Sequence, residues 1–297
     1  MSQILTLTAL LVISFYVTFS SSISIPKYDK LLVFGDSYSD DGNVYKLSNG
    51  TWPPPFYFKG GFSNGPLWTA FLSQSLSAQL ENYAYGGATA DDDFIQGYSG
   101  ADGTLKVPGL KRQVEAFSAK LSNGTDLSHS LAVVWLIGND YLNTNWTAAP
   151  SNVIARSALS WYLLYQKGVR NFLLPNMPDV SLFPYFKGSD PSYLAIIKDV
   201  YQKNNAELKK SIDTFKQAKP DVKVYDFQTD QFWVYYRQVQ ASRLGVTDFV
   251  DACASTYENK PLTICSNPDS YFYWDDFHPE AKTEQALAAA FYASLGN

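Results

Sequence analysis

Ser37 follows Gly35 and Asp36 directly after the apolar run Leu31 to Phe34. A serine in that position lies in the turn that leaves the carboxyl edge of a sheet, with its hydroxyl exposed and its own N–H facing the same crevice. A hydroxyl is a poor nucleophile at neutral pH and needs a base beside it. The segment Asp275-Asp-Phe-His278-Pro279 offers one, because an acid three residues before a histidine can hold one ring nitrogen and leave the other free. The chain has only two histidines. His129, in Asp126-Leu-Ser-His129-Ser130, falls at the amino end of a strand. That is the wrong edge of the sheet, so it reads as a surface residue. Two more pieces sit at strand ends: Gly86-Gly87, where bare backbone can offer an N–H to a ligand, and Asn139, whose amide can donate to an oxyanion. Gly, Asp and Ser are ordinary turn residues, and one such block would signify little. Their recurrence at the ends of successive strands is what points to nucleophilic attack on a carbonyl.

Five short apolar runs supply those strands: Leu31 to Phe34, Glu81 to Tyr85, Leu131 to Ile137, Val169 to Leu174 and Val222 to Phe227. Helices are expected between them. The first is capped by Asn64 with Pro66 in its first turn, and others cover Pro108 to Leu121, Ser151 to Lys167 and Pro191 to Ala218. Two more follow, over Gln231 to Arg243 and from Pro279 to about Ala293. Strands alternating with helices imply a parallel sheet covered on both faces, an α/β/α sandwich. No linker, repeat or low-complexity stretch interrupts residues 23–297, which read as one domain. Asp36 and Asp40 are expected to fix the turn around Ser37 through side-chain-to-backbone hydrogen bonds. The segment Trp52-Pro-Pro-Pro-Phe-Tyr-Phe58 is either an aromatic rim for substrate or a rigid loop packed on the body. Asp91-Asp92-Asp93 reads as a solvated acidic loop rather than a metal site.

Of 297 residues, 46% are hydrophobic and 17% charged, a globular balance that excludes a disordered chain. A net charge of −5 without a polybasic tract argues against nucleic acid and anionic membrane surfaces as partners. Two cysteines and two histidines nearly exclude a zinc site on ligand count. The phosphate-loop, dinucleotide and G-x-S-x-G patterns are absent, and no metal or cofactor is implied.

No charged side chain precedes Lys27, and the apolar run Ile4 to Val17 is followed by Ser20, Ser21, Ser22 and Ser24. Residues 1–22 therefore read as a secretory signal, because that apolar run is shorter than the roughly 20 residues of a membrane span, with an uncleaved anchor as the alternative. The sequons at Asn49, Asn123 and Asn145 agree with secretion. So do Cys253 and Cys265, the only thiols, which an oxidising compartment would pair.

The blocks Phe34-Gly-Asp-Ser-Tyr-Ser-Asp-Asp-Gly-Asn43, Asn82-Tyr-Ala-Tyr-Gly-Gly-Ala-Thr89, Gly138-Asn-Asp140 and Asp275-x-x-His278 resemble, in order and spread, those of the GDSL, or SGNH, hydrolases. Gly61-Phe-Ser-Asn-Gly-Pro-Leu-Trp68 and Asn176-Met-Pro-Asp179 resemble stretches common in secreted members. The resemblance implies a flavodoxin-like sandwich with Ser37 as nucleophile, His278 as general base and Asp275 as its orienting acid. It makes Gly87 and Asn139 oxyanion donors, with the Ser37 N–H completing the hole. Ile137 stands where the family's third block carries a glycine. The implied activity is a secreted serine esterase working through an acyl-enzyme, on small-molecule or carbohydrate-linked esters with short or acetyl groups. A lipase, phospholipase or acyltransferase acting on lipid esters is the first alternative, and an inactive carbohydrate-binding protein on the same fold is the second. A monomer without stable membrane insertion is expected.

Overall fold

The structure, a computed structural model, describes residues 25–255 and 262–296. The signal segment expected over 1–22 lies outside them. Five parallel strands form the central sheet: β1 (Lys30–Gly35), β2 (Gln79–Asn82), β3 (Ser130–Trp135), β4 (Asn171–Pro175) and β5 (Lys223–Phe227). Their spatial order is β2-β1-β3-β4-β5, and every neighbouring pair is parallel. This is the flavodoxin-like order, in which chain direction across the sheet reverses between β1 and β3 and leaves a crevice at their carboxyl ends.

The period of two along each strand sorts the core into two layers. Leu31, Val33, Leu131, Val133 and Trp135 face one way, onto Trp68 and Leu72 of helix α1 (Trp68–Leu76) and, near the C-terminus, Leu287 and Phe291. Leu32, Phe34, Ala132, Val134 and Phe172 face the other way. They meet helices α2 (Leu110–Ala119), α3 (Pro150–Gln166) and α4 (Pro191–Ala218) through Val114, Phe117, Ile154, Trp161 and Phe215. Helix α5 (Ala281–Ser294) closes the first layer beside α1.

Three local expectations shift. β2 ends at Asn82, because the Asn82 side chain accepts from Ala84 N (3.0 Å) and bends the chain. Rungs from Tyr83 N to Val33 O and from Tyr85 N to Gly35 O still tie the bent segment to β1. α1 starts at Trp68, and Asn64 does not cap it. Asn64 serves α5 instead, accepting from Ala281 N (2.9 Å) and donating to Glu280 Oε1 (3.0 Å), while Glu284 of α5 accepts from Trp68 N (3.0 Å). The two helices thus exchange caps, which satisfies terminal N–H groups that local sequence leaves open. The helix expected over 231–243 is regular only over Thr229–Tyr235 and then continues as a π turn and a 3-10 turn to Leu244.

Cys253 and Cys265 are disulfide-bonded. The bridge lies beside the short strand Asp248–Ala252, which pairs with Tyr271–Tyr273 just ahead of Asp275. No helix among the described residues is long and apolar enough to cross a membrane. Asn49, Asn123 and Asn145 are all exposed.

Candidate active site

β1 ends in the tight turn Gly35-Asp36-Ser37, and the two aspartates around Ser37 hold it. Asp36 Oδ1 accepts from Tyr38 N (3.2 Å), and Oδ2 accepts from Ile137 N (2.6 Å) at the end of β3. Asp40 accepts from Gly42, Asn43 and Val44 N–H groups, and its Oδ2 reaches Gly86 N at 2.8 Å. The expected side-chain-to-backbone bonds are present, and they extend to the neighbouring loops as well. Burial pushes the Asp36 carboxyl up to about 6 against the pull of those N–H donors and of His278. Asp40 is likewise raised to about 6, chiefly by burial.

The short turn between the strand Tyr271–Tyr273 and α5 brings His278 to this turn from the far end of the chain. Ser37 Oγ lies 2.7 Å from His278 Nε2, and His278 Nδ1 lies 2.7 and 2.9 Å from the two oxygens of Asp275. All three side chains fall into one hydrogen-bonded series. Asp275 is 3% exposed, and its Oδ1 also accepts the Phe277 and His278 N–H groups (2.8 and 2.6 Å). Burial opposes its charge, yet the His278 ring, the Tyr57 hydroxyl and the Phe277 N–H together hold its carboxyl below the usual range. An anion so solvated by fixed donors keeps its charge without water and presents one face to the imidazole. The rings of Phe62 and Tyr38 flank the imidazole at 5.1 and 5.6 Å between centroids, and Tyr38 Oη donates to Phe277 O (2.6 Å).

Opposite His278, three donor positions border the cleft at Ser37. Gly86 N–H is committed to Asp40. The Gly87 and Ser37 N–H groups have no acceptor among the described residues. Gly87 has φ +86°, and a Cβ there would meet Tyr98 O at 2.0 Å, so only glycine fits this turn. Asn139 Nδ2 donates to Ala88 O (3.0 Å), with Asp36 Oδ2 at 3.4 Å, which fixes the plane of the amide at the cleft wall. Gly138, at φ +125°, makes the turn that carries Asn139. Ile137, in the position of the family's glycine, gives its N–H to Asp36 and lines the cleft. Asp140 accepts from Ala90 N (3.2 and 3.1 Å) and ties the Asn139 loop to the Gly87 loop. Burial raises its carboxyl to about 7.

The cleft has about 240 Å³ of room and opens to solvent. Trp52, Phe62, Leu142, Trp146, Phe183 and Phe186 form most of its apolar wall, and the turn Tyr98 to Gly103 closes one side. That turn joins the short antiparallel strands Gly97–Ser99 and Leu105–Val107, a hairpin that the strand-helix alternation does not reveal. In the segment from Trp52 to Phe58 the packed-loop expectation is met, and one residue also reaches the cleft. Trp52 faces the cleft, while Tyr57 packs on Trp274 and the Cys253 side of the disulfide. Tyr57 Oη donates to Asp275 Oδ2 at 2.5 Å. The sequence flags the segment by its aromatics but gives no sign of that partner. His129 is exposed and remote from Ser37, its O accepting from Asp29 N at the amino end of the sheet. Asp91, Asp92 and Asp93 are engaged by Arg156, Arg112 and Lys111, so cations already neutralise the acidic loop.

A parallel α/β/α sandwich thus carries a Ser–His–Asp series at the switch point of its sheet, an arrangement with the geometry that acyl transfer requires. The chain belongs to the GDSL-like lipase/acylhydrolase family, which it matches over residues 31–291. It is 25% identical to a thermolabile hemolysin of Vibrio parahaemolyticus over 91% of this chain, a match that takes in 64% of the hemolysin's length. It is 24% identical to a GDSL esterase/lipase of Arabidopsis thaliana, covering 90% of this chain and 88% of that one. It is 29% identical to a phosphatidylcholine-sterol acyltransferase of Aeromonas hydrophila, covering 82% of this chain and 71% of that one.

Proposed function

We propose that the chain is a secreted serine esterase that hydrolyses carboxylic esters through an acyl-enzyme on Ser37. The observation that carries this reading is the unbroken series of hydrogen bonds from Ser37 Oγ through His278 to Asp275. In the acylation step Ser37 Oγ attacks the ester carbonyl and His278 Nε2 takes its proton. The free N–H groups of Ser37 and Gly87 meet the negative oxygen, and the Asn139 amide joins them by turning one hydrogen away from its long 3.4 Å contact with Asp36 Oδ2, each donor contributing about 3 kcal/mol to barrier lowering. Collapse expels the alcohol with the proton from His278. Water then repeats the sequence and frees the acid.

The apolar wall of the cleft suits an aliphatic acyl group better than a sugar, so the acyl part is placed there and the alcohol toward solvent. Small soluble esters of short or medium chain are the proposed substrates. A lipid-ester reading is the second one, favoured by the similarity to the phosphatidylcholine-sterol acyltransferase. Residues 1–22 are proposed as a cleaved secretory signal, 23–297 as the catalytic domain, and Asn49, Asn123 and Asn145 as glycan acceptors. The disulfide and the exposed sequons support that export.

A fluorophosphonate probe tests the reading. It should label the protein once, at Ser37, and Ser37→Ala should lose both labelling and ester hydrolysis by several orders of magnitude. Labelling that persists in Ser37→Ala overturns the assignment. A series of p-nitrophenyl esters from acetate to palmitate, with phosphatidylcholine vesicles in parallel, separates the two substrate readings.

A further inference from the structure

Tyr57 is a buried phenol, 8% exposed, whose hydroxyl sits 2.5 Å from Asp275 Oδ2. It reaches the aspartate across 218 residues of sequence, from a loop that holds none of Ser37, Asp275 and His278. The loop is held from behind by a small aromatic cluster. Tyr57 stacks near Phe56 at 4.5 Å between centroids, and Cys253, Ala254 and Trp274 complete its surroundings. Backbone bonds from Cys253 N to Tyr273 O and from Ala254 N to Trp274 O tie that cluster to the strand leading into Asp275. The disulfide bridge thus clamps the ring from one side while the hydroxyl addresses the carboxylate on the other.

Resting on the esterase reading above, we infer that Tyr57 is a positioning residue for Asp275, setting through one donated hydrogen bond how strongly that carboxylate draws on His278. The phenol is pushed far above its ordinary range, first by burial and then by the negative charge of Asp275, so it remains a donor throughout the working pH range. Asp275 Oδ2 takes both the Tyr57 hydroxyl and the His278 ring N–H. Two donors on one oxygen share its negative charge. The Tyr57 bond therefore weakens the hold of Asp275 on a charged imidazole, while keeping the carboxylate turned toward it. Other ionisable groups face the pair. Asp36 feels the charge of His278, Tyr38 feels that of Asp275, and Asp276 acts on Tyr57. Substitution of Tyr57 leaves all three in place. Tyr57 does not line the cleft, so its effect should fall on turnover and not on substrate binding.

The test is the pH profile of kcat/KM for Tyr57→Phe, which deletes only the oxygen. Without the competing donor, Asp275 draws harder on the imidazolium and the acid limb moves to higher pH. Loss of one hydrogen bond of ordinary net strength lowers kcat about threefold to tenfold, with KM unchanged. Replacement of Tyr57 by fluorotyrosine keeps the ring carbons and the hydroxyl, exchanges one ring hydrogen for fluorine, makes a stronger donor, and should move the limb the opposite way. An acid limb that coincides with that of the wild type in both variants, whatever happens to kcat, overturns the inference and leaves Tyr57 a packing residue. The esterase reading fails separately: a wild-type protein that hydrolyses no ester and takes no fluorophosphonate at Ser37 removes it before Tyr57 is altered.

Discussion

Asp275→Asn isolates the part of the site on which the proposed mechanism most depends. Asp275 Oδ1 accepts two backbone N–H groups, while Oδ2 accepts the Tyr57 hydroxyl and the His278 ring N–H. The amide oxygen of an asparagine can replace only one of these. The backbone donors fix it in the Oδ1 position, which puts the NH₂ group where Oδ2 was. There it faces the Tyr57 hydroxyl and His278 Nδ1. Nδ1 must then accept a hydrogen bond, which places the ring proton on Nε2, directly opposite Ser37 Oγ at 2.7 Å. A protonated Nε2 cannot take the serine proton. Wrong-tautomer substitutions of this kind cost about 10⁴ in kcat, or roughly 5.5 kcal/mol of barrier. Folding should survive, because the side chains are isosteric and Oδ1 keeps its partners. The assay is ester hydrolysis across pH on the purified variant, with circular dichroism as the check on folding. A folded Asp275→Asn enzyme within about tenfold of wild-type kcat would refute the tautomer argument, and the same substitution at Asp276 would then be the one to make.

Asn139→Ala removes one of the proposed oxyanion donors and leaves the loop, since Gly138 makes the turn and Asp140 holds the loop to Ala90. The expected loss is about 10²–10³ in kcat with KM little changed, because the amide meets charge only in the transition state. A raised KM with kcat intact would make Asn139 a ground-state contact. Glu284, 1% exposed, is pushed up to about 8 by burial, aided by the charge of Glu280 and offset in part by the Trp68 N–H. Its native value lies above the unfolded one, so the native state keeps a proton that the unfolded chain has released. Its contribution is fully present below the unfolded value of about 4.5 and is lost as pH rises through about 8. Glu284→Gln keeps an acceptor for Trp68 N–H and should raise Tm relative to wild type increasingly from pH 5 to about pH 8, levelling off above that. A Tm difference that is constant over that range would show that Glu284 is not titrating there.

The pieces of the candidate site are legible in the sequence because each is short and local. A run of buried β residues ending in Gly35-Asp36-Ser37 needs only the sheet edge to explain it, and Asp275 and His278 meet within one turn. The five strands and the long helix Pro191–Ala218 follow from hydrophobic period and proline placement, which are properties of neighbouring residues. The tertiary structure decides whatever depends on distant partners. Asn64 has the type and spacing of a cap for the helix that follows it, yet it caps a helix more than 200 residues later, because that N-terminus is brought against it when the two helices pack. Gly86 and Gly87 are alike in sequence. They part only when Asp40 claims one N–H and the carbonyl of Tyr98 leaves room for no side chain at the other. Tyr57 is one aromatic among several in its loop until the chain closes and sets its hydroxyl on Asp275. Composition and periodicity report which face of an element is buried. They do not report which polar atom meets which across the core, since that is fixed by the joint packing of elements whose positions no single segment encodes.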